Sequence, residues 1–165
     1  MKSLSNSFNS ASNTEWVQSS NHSLNTAREQ AIFSLGKEKG AEELKKEISD
    51  IYISLLTRSY EDTTKVLSVF KYLQLDVLSA RLKVDSLNSL RVMIALRPND
   101  KLFESLDTVY NHLYDVEEEI NNDDYHVTFS IIKAFENSFS DASVENDGYI
   151  YKHRLSLDEK TTRPA

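Results

Sequence analysis

Residues 78–98 read LSARLKVDSLNSLRVMIALRP, and the two halves of this stretch share one pattern. Leu78, Ala80, Leu82 and Val84 alternate with Ser79, Arg81 and Lys83. A period of two predicts a strand with one face buried. Asp85 to Ser89 carries turn-forming residues. Val92, Ile94 and Leu96 then alternate with Arg91, Met93, Ala95 and Arg97. Two such runs with a short connection predict an antiparallel hairpin. Pro98 ends the second run, because it has no N–H to give to a ladder.

Downstream the period changes to 3.6. Leu102, Leu106, Val109, Leu113, Val116 and Ile120 form one helical stripe, with Phe103 and Tyr110 read as widening it. A third strand follows with Val127, Phe129 and Ile131 inward. A long loop carries Phe135, Phe139 and Val144, and Asp147-Gly148 marks a turn. The last strand sets Tyr149, Tyr151 and Leu155 on one face, with Ile150, Lys152 and Arg154 on the other. The block from Leu75 to Leu155 therefore predicts an α+β fold. It has a four-stranded antiparallel sheet in ββαββ order, with helices packed on one face.

Upstream, Ala41 to Ser59 combines strong helix formers with Leu44, Ile48, Ile51, Tyr52, Leu55 and Leu56 at helical spacing. Asp62 is expected to cap a further helix with Val66, Leu67, Val69, Phe70 and Leu73 inward. The β-branched and aromatic residues within 51–56 also suit a strand. That alternative gives a βαββαβ, ferredoxin-like order. Thr26 and Glu29 form a capping box ahead of Ile32, Phe33 and Leu35, with Gly36 and Gly40 following. Residues 1–25 are Ser/Asn-rich and expected to be disordered. Within them Trp16, the sole tryptophan, either folds back onto the domain or anchors a partner. Residues 26–157 are expected to form a single domain, with 158–165 as a polar tail.

Composition excludes several chemistries. Among 165 residues there is no cysteine, so disulfides, thiolate catalysis and cysteine-ligated metals are absent. Three glycines, Gly36, Gly40 and Gly148, cannot build a G-x-G-x-x-G or P-loop phosphate cradle. No G-x-S-x-G and no H-E-x-x-H occurs. Asp141, Ser143, Glu145 and Asp147 imitate the start of a calcium loop. The sixth position is Asn146 where glycine is required, and the twelfth is Lys152 where a glutamate is required. No apolar run matches a bilayer span, and the first ten residues lack the apolar core of a secretory signal. A cytoplasmic protein without a cofactor is expected, and Asn21-His22-Ser23 is then no glycosylation site. The net charge of −7 disfavours broad binding to nucleic acid or to anionic membrane.

Charge is segregated along the chain. Residues 99–124 hold nine acids against the single base Lys101. The outward strand positions include Arg81, Lys83, Arg91, Arg97, Lys152 and Arg154 with no acid among them. Such a cationic face suits an anionic partner, for instance an acidic protein segment. Lysine and arginine on strands also serve to discourage edge pairing, which accounts for the same residues without a ligand. With Phe129, Tyr149 and Tyr151 read as inward, the face lacks aromatic platforms for single-stranded RNA. Asp123, Asp124 and His126 combine carboxylates with imidazole, as a metal-dependent hydrolase or nuclease requires, although a solvated turn has the same composition. His153 shares its parity with Tyr151 and reads as a core or edge histidine.

Three functions are thus expected in order. The first is a non-enzymatic interaction, regulatory or adaptor domain, with no catalytic residues, docking a protein partner. The second is a ferredoxin-like small-ligand sensor, which needs 51–56 to be a strand. The third is the metal-dependent enzyme. Leu44, Ile48, Ile51 and Leu55 have heptad-like spacing that allows a homodimer, while packing on the chain's own sheet explains them equally.

Overall fold

A computed structural model describes residues 16–18, 40–135 and 137–154. The capping box at Thr26 and Glu29, the helix expected with Ile32, Phe33 and Leu35, Gly36, and the tail at 158–165 lie outside the described residues. In chain order the elements are β1 (Trp16–Gln18), α1 (Ala41–Tyr72), β2 (Asp76–Ser86), β3 (Ser89–Arg97), α2 (Asp100–Ile120), β4 (His126–Lys133), α3 (Asp141–Asn146) and β5 (Tyr151–His153). The fold is α+β. Among the described residues its sheet has five strands in the order β1-β5-β2-β3-β4.

Residues 41–72 form one helix rather than two. No Pro or Gly interrupts Ala41–Tyr72. Glu42 and Glu43 in the first turn and Lys71 in the last complement the helix dipole. Mid-helix hydroxyls turn back on their own backbone, Thr63 to Ser59 O at 2.7 Å and Thr64 to Tyr60 O at 2.8 Å. Residues 51–56 are helical, which corrects the strand alternative and removes the βαββαβ order. Ile48, Tyr52, Leu55 and Leu56 are buried while Ile51 is exposed. That is the period of a helix, and packing outweighs β-propensity here. Asp62 is no cap. It lies inside α1 and is buried. At the end of α1, Gln74 takes the left-handed conformation with φ 59°. Its N–H donates to Lys71 O and Leu75 N–H to Phe70 O, the paired closure that usually employs glycine.

β2 and β3 form the expected antiparallel hairpin, joined at Leu87-Asn88, with irregularities at Leu78 and Asp85. The irregularity at Leu78 resets the alternation. Val77, not Leu78, packs against the core. Asn99 caps α2 by accepting from Leu102 N at 2.8 Å.

The antiparallel expectation fails at β4, which runs parallel to β3, Ser89 opposite His126 and Leu96 opposite Lys133. The reason is length. A helix of 21 residues spans about 31 Å. The nine residues of β3 span about 30 Å. The helix therefore returns the chain to the start of β3, and β4 sets off in the same direction. The sheet is mixed, and it gains β1 as its fifth strand.

α1 and α2 cover one sheet face. Phe70, Leu82, Leu90, Ile94, Leu96 and Leu102 are fully buried between them. Each such side chain contributes about 2 kcal/mol of burial. Trp16 joins this core at 4% exposure, so residues 16–18 belong to the fold rather than to the expected tail. Its indole N–H donates to Leu56 O and Ser59 Oγ, at 3.1 and 3.2 Å. His153 is fully buried beside it, stacked on Tyr60 at 4.1 Å and hydrogen-bonded to Thr64.

Candidate functional site

The cationic face lies opposite α1 and α2, and the segment around α3 crosses it. Arg81 is almost completely buried there. Its guanidinium donates to Asp141 Oδ1 at 2.6 Å, Glu145 Oε1 at 3.3 Å and Tyr149 O at 3.4 Å. Lys83 donates to Asp147 O at 2.8 Å, and Lys152 lies 3.9 Å from Asp141 Oδ2. Gly148 has φ 94°, and an added Cβ would come within 3.1 Å of Lys83 Cε, so this turn is fitted closely to the lysine. Arg91 forms two bonds of 2.6 Å with Asp85, and this carboxylate raises the arginine pKa. Arg97 pairs with Asp76 across the hairpin. Arg154 is exposed just beyond β5.

The face expected to hold cations alone therefore holds cations with their own acids. Asp76 and Asp85 enter through the ends of β2, and Asp141 and Glu145 through α3, while Asp147 in the turn gives its backbone carbonyl to Lys83. Tyr149 also lies on this side, 5.9 Å from Lys83 Nζ, and not inward. The hairpin pairs had a sequence signal. Asp85 and Arg91 flank the turn six positions apart, and Asp76 and Arg97 stand at the two far ends of the same hairpin.

Asp123, Asp124 and His126 are exposed. Asn122 Oδ1 accepts from Asp124 N and Tyr125 N at 3.0 Å each, which makes the segment a side-chain-closed turn. Among the described residues, no group of three histidines or acids converges in a way that could hold a metal ion. Beside this turn an open cleft of about 400 Å³ lies between α1 and Leu87, lined in part by Asp50, Ile51, Leu55, Arg58 and Tyr125. Deeper in, Tyr125 donates to the buried Asp62 carboxylate, and Arg58 lies over the tyrosine ring. These groups tie α1 to the start of β4 and are held by one another.

The outer surface of α2 is different. Phe103, Tyr110 and Tyr114 are 58%, 54% and 66% exposed. Phe103 and Tyr110 were expected to widen the buried stripe, and they do not. Spaced seven and four residues apart, the three rings align within about 40° around the helix. Their row stands about 100° from the Leu102–Ile120 stripe, far enough to miss the core. Asp100, Glu104, Asp107 and Glu118 are exposed on the adjoining surface. On the other side of the row, Glu117 and Asn121 reach down to the backbone of β4. Lys133, at the end of β4, places its ammonium 4.9 Å from the Phe103 ring centre. Phe135 is 64% exposed just beyond it. An amine thus already sits on one ring of the row, the contact that an aromatic face offers a cation.

Three of the four heptad-spaced residues, Leu44, Ile48 and Leu55, are buried within a single chain. Among the described residues, no helix is long and apolar enough to cross a membrane. No family model, no curated protein and no solved structure matches this chain.

Proposed function

We propose that this chain is a non-catalytic protein-interaction domain, of regulatory or adaptor type, whose docking surface is the outer face of α2. One observation carries the reading: the exposed row Phe103, Tyr110 and Tyr114, bordered by acids on a helix with one lysine. Exposed aromatic residues supply anchoring area at low entropic expense, and such rows mark interaction sites. The acids select a basic partner and speed its approach. The internal pairing of Arg81, Arg91, Arg97 and Lys152 argues against the sheet face as the main seat for an acidic segment.

The test uses two short peptides, one alternating lysine with threonine and one alternating glutamate with threonine. The lysine peptide binds the full chain, and its affinity falls as salt rises. Replacing Phe103, Tyr110 and Tyr114 together by serine weakens binding by at least about tenfold, the loss of one hot-spot contact of somewhat over 1 kcal/mol. Equal or tighter binding of the glutamate peptide returns the function to the sheet face. No binding of either peptide removes the reading.

A further inference from the structure

Among the described residues β4 is the last strand on one side of the sheet, so half of its backbone groups point away from β3. The hydrogen bonds identify which half. Asn121 takes both polar groups of Val127, accepting from its N–H at 2.7 Å and donating to its carbonyl at 2.9 Å. Glu117 Oε1 accepts from Phe129 N–H at 2.6 Å. On the inner side, His126 N–H donates to Asn88 O and Ala134 N–H to Leu96 O. Alternation along the strand then directs the N–H and C=O groups of Ile131 and Lys133 outward. Among the described residues, no hydrogen-bond partner meets these outward groups.

α2 therefore closes the first half of this edge with two of its own side chains and leaves the second half open. Because α2 runs back over the sheet against the direction of β4, its N-terminal half stands beside the open part. Phe103 is next to Lys133, and Tyr110 lies between Phe103 and Glu117.

We infer that the open edge from Phe129 to Lys133 receives the basic partner as an added strand, its lysine or arginine side chains directed at the aromatic and acidic face of α2. The inference rests on the docking reading of α2 and adds the mode of binding. An added strand gains main-chain hydrogen bonds from Ile131 and Lys133, and its alternate side chains gain specificity from the two sides. Those on the helix side meet Phe103 and Tyr110, with Glu104 and Asp107 behind them. Those on the other side continue the exposed polar row of Thr128 and Ser130, where β-branched hydroxyl residues pair well. A second copy of the chain is a poorer occupant, because edge-to-edge pairing would bring two acidic helices together.

The experiment follows backbone amide exchange of the full chain by NMR, with and without the lysine–threonine peptide. At saturation, exchange at Ile131 and Lys133 slows roughly two- to tenfold, the range that one net hydrogen bond allows. Val127 and Phe129, already capped, do not change. N-methylation of the peptide at the amides that face β4 weakens binding roughly two- to tenfold for each bond lost. If the Tyr110 and Tyr114 ring signals shift on titration while exchange at Ile131 and Lys133 does not slow, docking on α2 stands and strand addition is overturned. If the ring signals stay still, both fall. If Ile131 and Lys133 become protected in the protein alone as its concentration rises, the occupant is a second copy and the basic partner is overturned.

Discussion

Tyr125 donates its phenolic proton to Asp62 Oδ2 at 3.0 Å, joining the middle of α1 to the residue that precedes β4. Arg58 completes the link. Its guanidinium carbon lies 3.8 Å from the Tyr125 ring centre, and its Nη2 donates to Ile120 O at 2.9 Å. Burial pushes the Tyr125 phenol well above its ordinary range, the Asp62 carboxylate adds to the rise, and Arg58 opposes it. A phenol that holds its proton more tightly in the fold stabilises the fold below its unfolded pKa, near 10, and loses that contribution as pH rises beyond it. Unfolding temperatures measured from about pH 9 to 11 should fall across this window. Tyr125→Phe should flatten the fall and lower stability at neutral pH by about 2 kcal/mol, the value of a hydrogen bond to a charged acceptor. An unchanged alkaline slope would show that the phenol does not control it.

Gln74 holds a left-handed backbone at the end of α1, and its side chain is exposed. Glycine adopts this conformation without a Cβ clash. Gln74→Gly should raise stability by about 1 kcal/mol in urea unfolding, with no change in the slope against denaturant. A loss of stability would mean that the side chain contributes more than the backbone conformation costs.

Trp16 offers a direct optical test of β1. As the only tryptophan, and a buried one, it should emit at short wavelength and resist quenching by acrylamide. Trp16→Ala removes the ring packed against His153 and Tyr60, together with the hydrogen bond to Leu56 O. The expected loss is about 3–5 kcal/mol. Red-shifted, easily quenched emission in the native protein would show that residues 16–18 do not pair with β5.

Two arginines on one sheet face should differ in how much they contribute. The Arg81 side chain is 3% exposed and shared between Asp141 and Glu145. Arg81→Ala leaves Asp141 and Glu145 without their common partner and should cost about 3 kcal/mol. The Arg91 side chain is 48% exposed despite its two bonds to Asp85. Arg91→Ala should cost less than about 1 kcal/mol. Thermal unfolding of the two variants decides this, and equal losses would show that burial does not set the difference.

The hairpin was legible because one buried face imposes a period of two on Ala80, Leu82, Val84, Val92, Ile94 and Leu96. The direction of β4 was not, since Val127, Phe129 and Ile131 alternate identically in parallel and antiparallel ladders. Direction is set by the helix that precedes the strand. Asp62 looked like a helix cap because a carboxylate within an apolar stripe normally marks an end, and its partner Tyr125 lies 63 positions away. The proposed docking surface was half visible. The acids of α2 can be counted in the sequence, but Phe103 and Tyr110 are distinguishable from core residues only by their angle, and Tyr114 extends the row they begin. The cations of the sheet face were visible, whereas the pairing of Arg81 with Asp141 and Glu145 arises only from tertiary contact.

The position of β5 governs the order in which the molecule can assemble. It follows every other strand among the described residues, yet it sits between β1 and β2. Among the described residues β1 has no other strand neighbour, so its three residues wait for a strand that is complete only when the chain has been made as far as His153. The hairpin, α2 and β4 are contiguous and need nothing from either end to pair with one another. Synthesis on a ribosome should therefore yield a folding nucleus from residues 76–133 first, with the Trp16 strand closing last as a latch.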